Sequence, residues 1–422
     1  MSFDLPKLPA GWSFSSLESC AVPSSITYGV VQPGTPHTDG VPLIRVNNFK
    51  DMRLDLSDVM RIAPDIESKY GRTRLTGGEV LLTLVGSVGQ VAVVPKALTG
   101  FNVARAVGVI RPLPSIEPEW LAICLRSPLS QHLLGSRANT TVQTTINLKD
   151  VRALPVPIPP EAERKEITAM LYALDDRIVL LRETNATLEA ISQTLFKSWF
   201  VDFDPVHAKQ QGIAPAGMDE ATAALFPDSF EESALGLVPQ GWQIKTLQDL
   251  LVLQRGFDLP TQDRVHGSYP IIAASGPSGF HETAMAKGPG VVTGRSGVLG
   301  RVFLELGDYW PLNTTLWVKE FRAATPCYAY EVLRLLDFKA YNAGSAVPTL
   351  NRNHIHGLPY VIPPRAVVEA YEAMALQLHQ RVRVNTQQAQ TLATLRDTLL
   401  PRLISGQLRL PEAQAALTEA TA

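Results

Sequence analysis

The chain repeats itself, and that repeat limits the folds open to it more than any other feature. Leu8-Pro9-Ala10-Gly11-Trp12 returns as Val238-Pro239-Gln240-Gly241-Trp242, 230 positions later. Gly86-Ser87-Val88-Gly89-Gln90-Val91 returns as Gly297-Val298-Leu299-Gly300-Arg301-Val302, 211 later. Thr145-Ile146-Asn147, with Leu154-Pro155 and Ile158-Pro159-Pro160, returns as Thr349-Leu350-Asn351, Leu358-Pro359 and Ile362-Pro363-Pro364, 204 later. Order is kept while the offset shrinks, so a longer globular unit is followed by a shorter copy of itself. Each copy carries β-branched segments punctuated by Gly and Pro: Val80–Val85, Val91–Val94 and Val107–Ile110, then Gly290–Thr293 and Thr315–Val318. These read as strands, while Glu119–Leu134 and Ala329–Tyr341 read as short helices in corresponding places.

After each double proline the pattern changes to that of a long helix. Leu171, Leu174, Ile178, Leu181, Asn185, Leu188, Ser192, Leu195 and Trp199 alternate by three and four, behind acidic Glu161, Glu163 and Glu166. The second copy gives Ala375, Leu378, Val382, Asn385, Ala389, Leu392, Arg396, Leu399 and Leu403. Both are coiled-coil seams. A duplicated unit that closes on itself packs its copies about a pseudo-two-fold axis, which sets the helices antiparallel. Facing residues in such a pair have numbers that add to a constant, about 570 from the seam centres. Asn185 and Asn385 meet that condition, so they are expected to lie close across the seam and fix its register; the alternative is that each points to the edge and meets water.

The expected fold class is therefore α+β: two mixed α/β domains joined by two long antiparallel coiled-coil helices. The expected domains are 1–160 (first globule), 161–205 (first helix), 206–236 (linker), 237–364 (second globule), 365–405 (second helix) and 406–422 (tail). Three cysteines far apart make no disulfide framework and fit a reducing cytoplasm. No apolar run is long enough to span a bilayer, and the N-terminus carries no signal-peptide pattern.

Catalytic constellations are missing from the sequence. Gly294-Arg295-Ser296-Gly297-Val298-Leu299-Gly300 has the glycines of a phosphate loop without its lysine. There is no nucleophile elbow, and no Asn/Asp-Pro-Pro-aromatic tetrapeptide of the kind amino-methyltransferases use. His354, His356 and His379 have no neighbouring cysteine or carboxylate cluster, so no metal ligands and no cofactor are assigned. The expectation is a non-catalytic binding protein.

The net charge of −2 conceals a division. The globules carry +3 and +2 and residues 365–422 carry +1, against −4 on each of the first helix and the linker. Arginine, asparagine and glutamine can read base edges, while Ser, Thr and backbone N–H hold phosphates. The candidate DNA-contacting residues in the first globule are Arg45, Asn47, Lys50, Arg72, Arg74, Ser87, Gln90, Arg105, Asn139, Thr141, Gln143 and Thr144. In the second they are Arg255, Ser275, Arg295, Ser296, Arg301, Asn313, Asn342, Ser345, Thr349 and Arg352. The glycines Gly86, Gly89, Gly297 and Gly300 are expected at turns with positive φ.

The sequence resembles the DNA-specificity subunit of type I restriction-modification systems over essentially its whole length. The likeness rests on Leu195-Phe196-Lys197-Ser198-Trp199-Phe200-Val201-Asp202-Phe203-Asp204-Pro205-Val206, on Leu225-Phe226-Pro227-Asp228-Ser229-Phe230 and Leu237–Trp242, on Gly294–Gly300, and on Leu399-Leu400-Pro401-Arg402-Leu403-Ile404-Ser405-Gly406. It departs from many relatives at Ser296, where they carry a lysine. The resemblance implies two target-recognition domains, each reading one half of a bipartite asymmetric site in double-stranded DNA. It also implies paired helices that set the spacing and dock two methyltransferase subunits, with restriction and translocase subunits joining through that complex in phage defence. The competing expectation is a coiled-coil scaffold for protein partners with no DNA role.

Overall fold

The computed structural model describes residues 5–421 except 51, 141–143 and 345. They form two compact units, Met1–Leu180 with Gln388–Ala422, and Leu181–Gln387.

In the first unit a four-stranded antiparallel sheet runs in the order Thr27–Tyr28, Val107–Ile110, Val80–Thr83, Val91–Val93. Val80–Thr83 is buried on both faces, as an uninterrupted apolar strand requires. A three-stranded sheet places Val41–Ile44 between Met60–Ile62, antiparallel, and Asn102–Val103, parallel. Ser13–Ser16 pairs with Pro155–Ile158 and so ties the two ends of the globule together. The expected helix over Glu119–Leu134 is two helices, Pro118–Arg126 and Pro128–Arg137. Pro128 cannot continue the first of them, and Ser127 caps the second by accepting a hydrogen bond from the Ser130 N–H.

The second unit repeats this plan. Its four-stranded sheet runs Leu251–Arg255, Thr315–Phe321, Gly290–Gly294, Val302–Glu305, and its three-stranded sheet is Gly276–His281, Tyr269–Ala273, Trp310–Pro311, again with the last pair parallel. Gln243–Thr246 pairs with Pro359–Ile362 at the base, and Pro326–Leu335 is the helix corresponding to Pro118–Arg126.

The long helices are Glu161–Phe200 and Arg365–Ile404, each of 40 residues and so about 60 Å. In the first unit Ile167 and Leu171 join Leu399, Leu403 and Ile404 in one core with Trp120 and Leu154. Trp12 locks the chain's start to the helix by donating its indole N–H to Glu163 at 3.0 Å. In the second unit Phe196, Trp199 and Phe200 pack edge-on against Tyr328 and Tyr371, with Val367, Val368 and Ala375 completing the core.

Candidate nucleic-acid interface

One loop arrangement recurs in both units. In the first, the turn after Val80–Thr83 lies against the hairpin Asn139–Thr140/Thr144–Thr145: Val85 bridges Thr145, and Gly86 donates its N–H to the Thr144 carbonyl at 2.9 Å. In the second, the turn after Gly290–Gly294 lies against residues 348–350: Ser296 bridges Thr349, Gly297 donates to the Pro348 carbonyl at 2.9 Å, and Leu350 to that of Arg295 at 2.8 Å. Gly86 and Gly297 have φ of +77° and +84°, so glycine is required there by the backbone, as the sequence suggested. A Cβ added at either would meet nothing within 4 Å, so each turn leaves its peptide edge open.

The other candidates fall into small groups. Arg45 and Asn47 both donate to Asp58, at 3.2 and 3.3 Å, beside a cleft of about 380 Å³ lined also by His37, Met60 and Arg61. Arg255 and Asn313 likewise share Asp258. Arg301 reaches the Ser275 carbonyl at 2.7 Å. Lys50 faces Asp55 at 3.9 Å, and Arg352 donates to the Leu253 carbonyl. Arg72, Ser87, Gln90 and Arg105 are exposed.

Two further candidates also bond within their own globule. Arg74 grips the buried Glu67 with two hydrogen bonds, and its guanidinium keeps that carboxyl below the usual range. Asn342 accepts from Gly344 and Thr349 through one oxygen, shaping the loop. Thr141, Gln143 and Ser345 lie outside the described residues.

Three polar layers interrupt the helix pair. In the first unit Asp175 accepts from Arg396 at 2.8 Å and from Arg126, at the end of Pro118–Arg126, at 3.0 Å. In the second, Asn385 donates to Asn185 Oδ1 at 2.9 Å, and Asn185 donates to Thr386 Oγ1 at 3.0 Å. One helical stretch further on, Ser192 Oγ lies 3.0 Å from Tyr371 Oη and 3.3 Å from His379 Nε2. Here the sequence pattern misplaced one seam position: His379 is buried and Leu378 only half so. Burial holds the His379 imidazole down at about 4, with Arg334 adding to the effect, so the ring is neutral at physiological pH. The sequence offered no signal for this, because its partner lies on the other helix.

Among the described residues no group of three or more His, Cys, Asp or Glu side chains could hold a metal ion, and no helix is long and apolar enough to cross a membrane. The three cysteines are buried and unpaired.

Residues 37–190 match the type I restriction modification DNA specificity domain. The EcoBI specificity subunit of Escherichia coli is 35% identical over 176 residues, which is 40% of this chain and 37% of that subunit. The MjaIX specificity subunit of Methanocaldococcus jannaschii is 22% identical over 364 residues, covering 79% of this chain and 78% of the relative. The chain thus spans little more than a third of the first relative and most of the second. In fold it is similar to the S subunit of a type I restriction-modification system from M. genitalium, with a TM-score of 0.58 at 16% identity over 94% of this chain and 98% of that one. A matching domain over residues 37–190, relatives that are type I specificity subunits and a shared fold make the chain similar to type I restriction-modification specificity subunits.

Proposed function

We propose that this chain is the sequence-reading, non-catalytic subunit of a cytoplasmic type I complex. Residues 1–160 and 237–364 are the two target-recognition domains, and each reads one half of a bipartite site in double-stranded DNA. The helices within 161–205 and 365–405 set the distance between half-sites, with Asn185 and Asn385 fixing their register, and dock two methyltransferase subunits. Restriction subunits join through that complex. The observation that carries the reading is the recurrence of one turn-and-loop arrangement with different side chains at matching positions, Val85, Ser87 and Gln90 in one unit against Ser296, Val298 and Arg301 in the other. One scaffold with two unlike reading edges suits an asymmetric site, whereas identical edges would demand a palindrome.

The modest charge of each globule means that few phosphates are neutralised by this chain alone, so the partner subunits supply much of the electrostatic grip. The test is DNA binding by the assembled complex carrying Arg72→Ala and Arg295→Ala. Weakened binding with intact assembly is expected; unchanged binding with intact assembly would favour the scaffold role instead.

A further inference from the structure

Each long helix comes from one copy of the repeat, so either copy could in principle pair with a second copy of itself. The middle of the apolar seam does not forbid this, since aliphatic residues would meet there either way, whereas at its ends Phe196 and Phe200 would meet Leu171 and Ile167 in place of Ala375 and Tyr371. The polar layers differ. Facing residues add to 570 or 571 in all three: Asp175 with Arg396, Asn185 with Asn385, Ser192 with His379. The two helices are offset by 204 positions along their whole length, so Asp175 corresponds to His379 and Ser192 to Arg396. Arg126 and Arg334 also correspond, each the ninth residue of a helix that opens on proline. The outer layers are therefore one layer of the repeat filled in two ways, a charged pair in the first unit and a neutral pair in the second.

We propose that these layers make the helix pairing obligately heterotypic: the first copy accepts the second and rejects a further copy of itself. In an antiparallel pair of two first copies, Asp175 would face Ser192 and lose one of its two cations, while Asn185 would face Leu181. In a pair of two second copies, Arg396 would lose Asp175 and face the neutral His379 with the Arg334 guanidinium close by, and Asn385 would face Ala389. Each defect occurs twice in a self-pair. Arg396 is half-buried and keeps Asp397, so losing the buried Asp175 disfavours the second self-pair by ~10-fold or more. Because the copies are produced one to one, suppressing either self-pair suppresses both. This pairing rule stands on the helix geometry alone. Its consequence, that two unlike recognition domains always share one helix pair, rests on the proposed function.

The test uses the full chain with a protease site placed in the exposed Gly212–Gly217 loop. After cleavage, isotope-labelled and unlabelled protein are mixed and the pairs are weighed by native mass spectrometry. Partner exchange with first-to-second pairs only is expected. In D175H/R396S, which gives every pairing the neutral layer, self-pairs should rise at least ~10-fold. Wild-type self-pairs at their statistical share, or a variant that exchanges and still forms none, would overturn the proposal. A second measurement needs no cleavage. R396S and D175H each recreate a self-pair layer inside the intact chain, and each should lower Tm, with partial recovery in the double variant. Additive losses in the double variant would overturn the proposal as well.

Discussion

Replacing His379 by glutamine should remove one specific pH dependence from the stability of this protein. The imidazole is buried against Ser192, which also meets Tyr371, with the edge of Tyr330 centred 5.5 Å away, and stays neutral down to about 4. In the unfolded chain it takes up a proton near ~6.5. Below that value the unfolded state binds the proton and the folded state does not, so His379 makes the fold less stable as pH falls from 6.5 towards 4. Between pH 7 and pH 5 the loss integrates to about 2 kcal/mol. Two carboxyls in the same unit work the other way. Burial raises Glu331 and Glu305 to about 7, so the folded state holds their protons where the unfolded state has released them, and acid stabilises them. The bare pH profile therefore mixes opposing contributions, and only the difference between wild type and H379Q isolates the histidine. Glutamine can keep the hydrogen bond to Ser192 without titrating. Thermal unfolding at pH 7, 6 and 5 should show H379Q gaining on wild type by about 2 kcal/mol, or roughly 4–8 °C, across that range. Parallel profiles would refute a neutral, buried His379.

Other substitutions test other parts of the account. Asp175→Ala leaves the Arg126 and Arg396 guanidiniums without their shared carboxylate and should cost ~3–5 kcal/mol in urea unfolding, while a loss under ~0.5 kcal/mol would make the triad a surface contact. Gly297→Ala forces a side chain onto a backbone with φ of +84° and should cost ~1–2 kcal/mol by the same measure, although the site has room for the added carbon. In the assembled complex, removing Arg105 or Arg301 should reduce the slope of log affinity against log salt by ~0.9 for each phosphate that the arginine neutralises, and an unchanged slope would take that arginine off the DNA backbone. Lengthening both helices by matched insertions in the seam should change the spacing between half-sites and leave the bases of each half unchanged, as DNA selection from a random pool would show.

The sequence was most legible where the physics is periodic or duplicated. Two apolar seams with polar interruptions could be found by counting threes and fours, and Asn185 and Asn385 could be matched because antiparallel helices conserve the sum of facing positions. His379 could not be found in this way. Its burial depends on Ser192 arriving from the other helix, and apolar periodicity favours Leu378 beside it. Ser192 and Arg396 stood on the seams from the start, but nothing local shows that one meets an imidazole and the other a carboxylate. The loops of the candidate interface show the same limit. Their glycines are visible as turns, yet that Gly86 meets Thr144 and Gly297 meets Pro348 is set by sheet topology, not by any neighbour in sequence. For Arg74 and Asn342, polar residue type pointed to DNA while the structure gives each partners within its own globule.

The central claim is that two unlike readers on one chain select a split, asymmetric DNA site. Its most direct test is a genome-wide map of methylated bases in cells with and without this chain, the methyltransferase subunit being present in both. A two-part, non-palindromic methylated motif that appears only with the chain is the predicted result. A palindromic motif, or one map unchanged by the chain's loss, would contradict it.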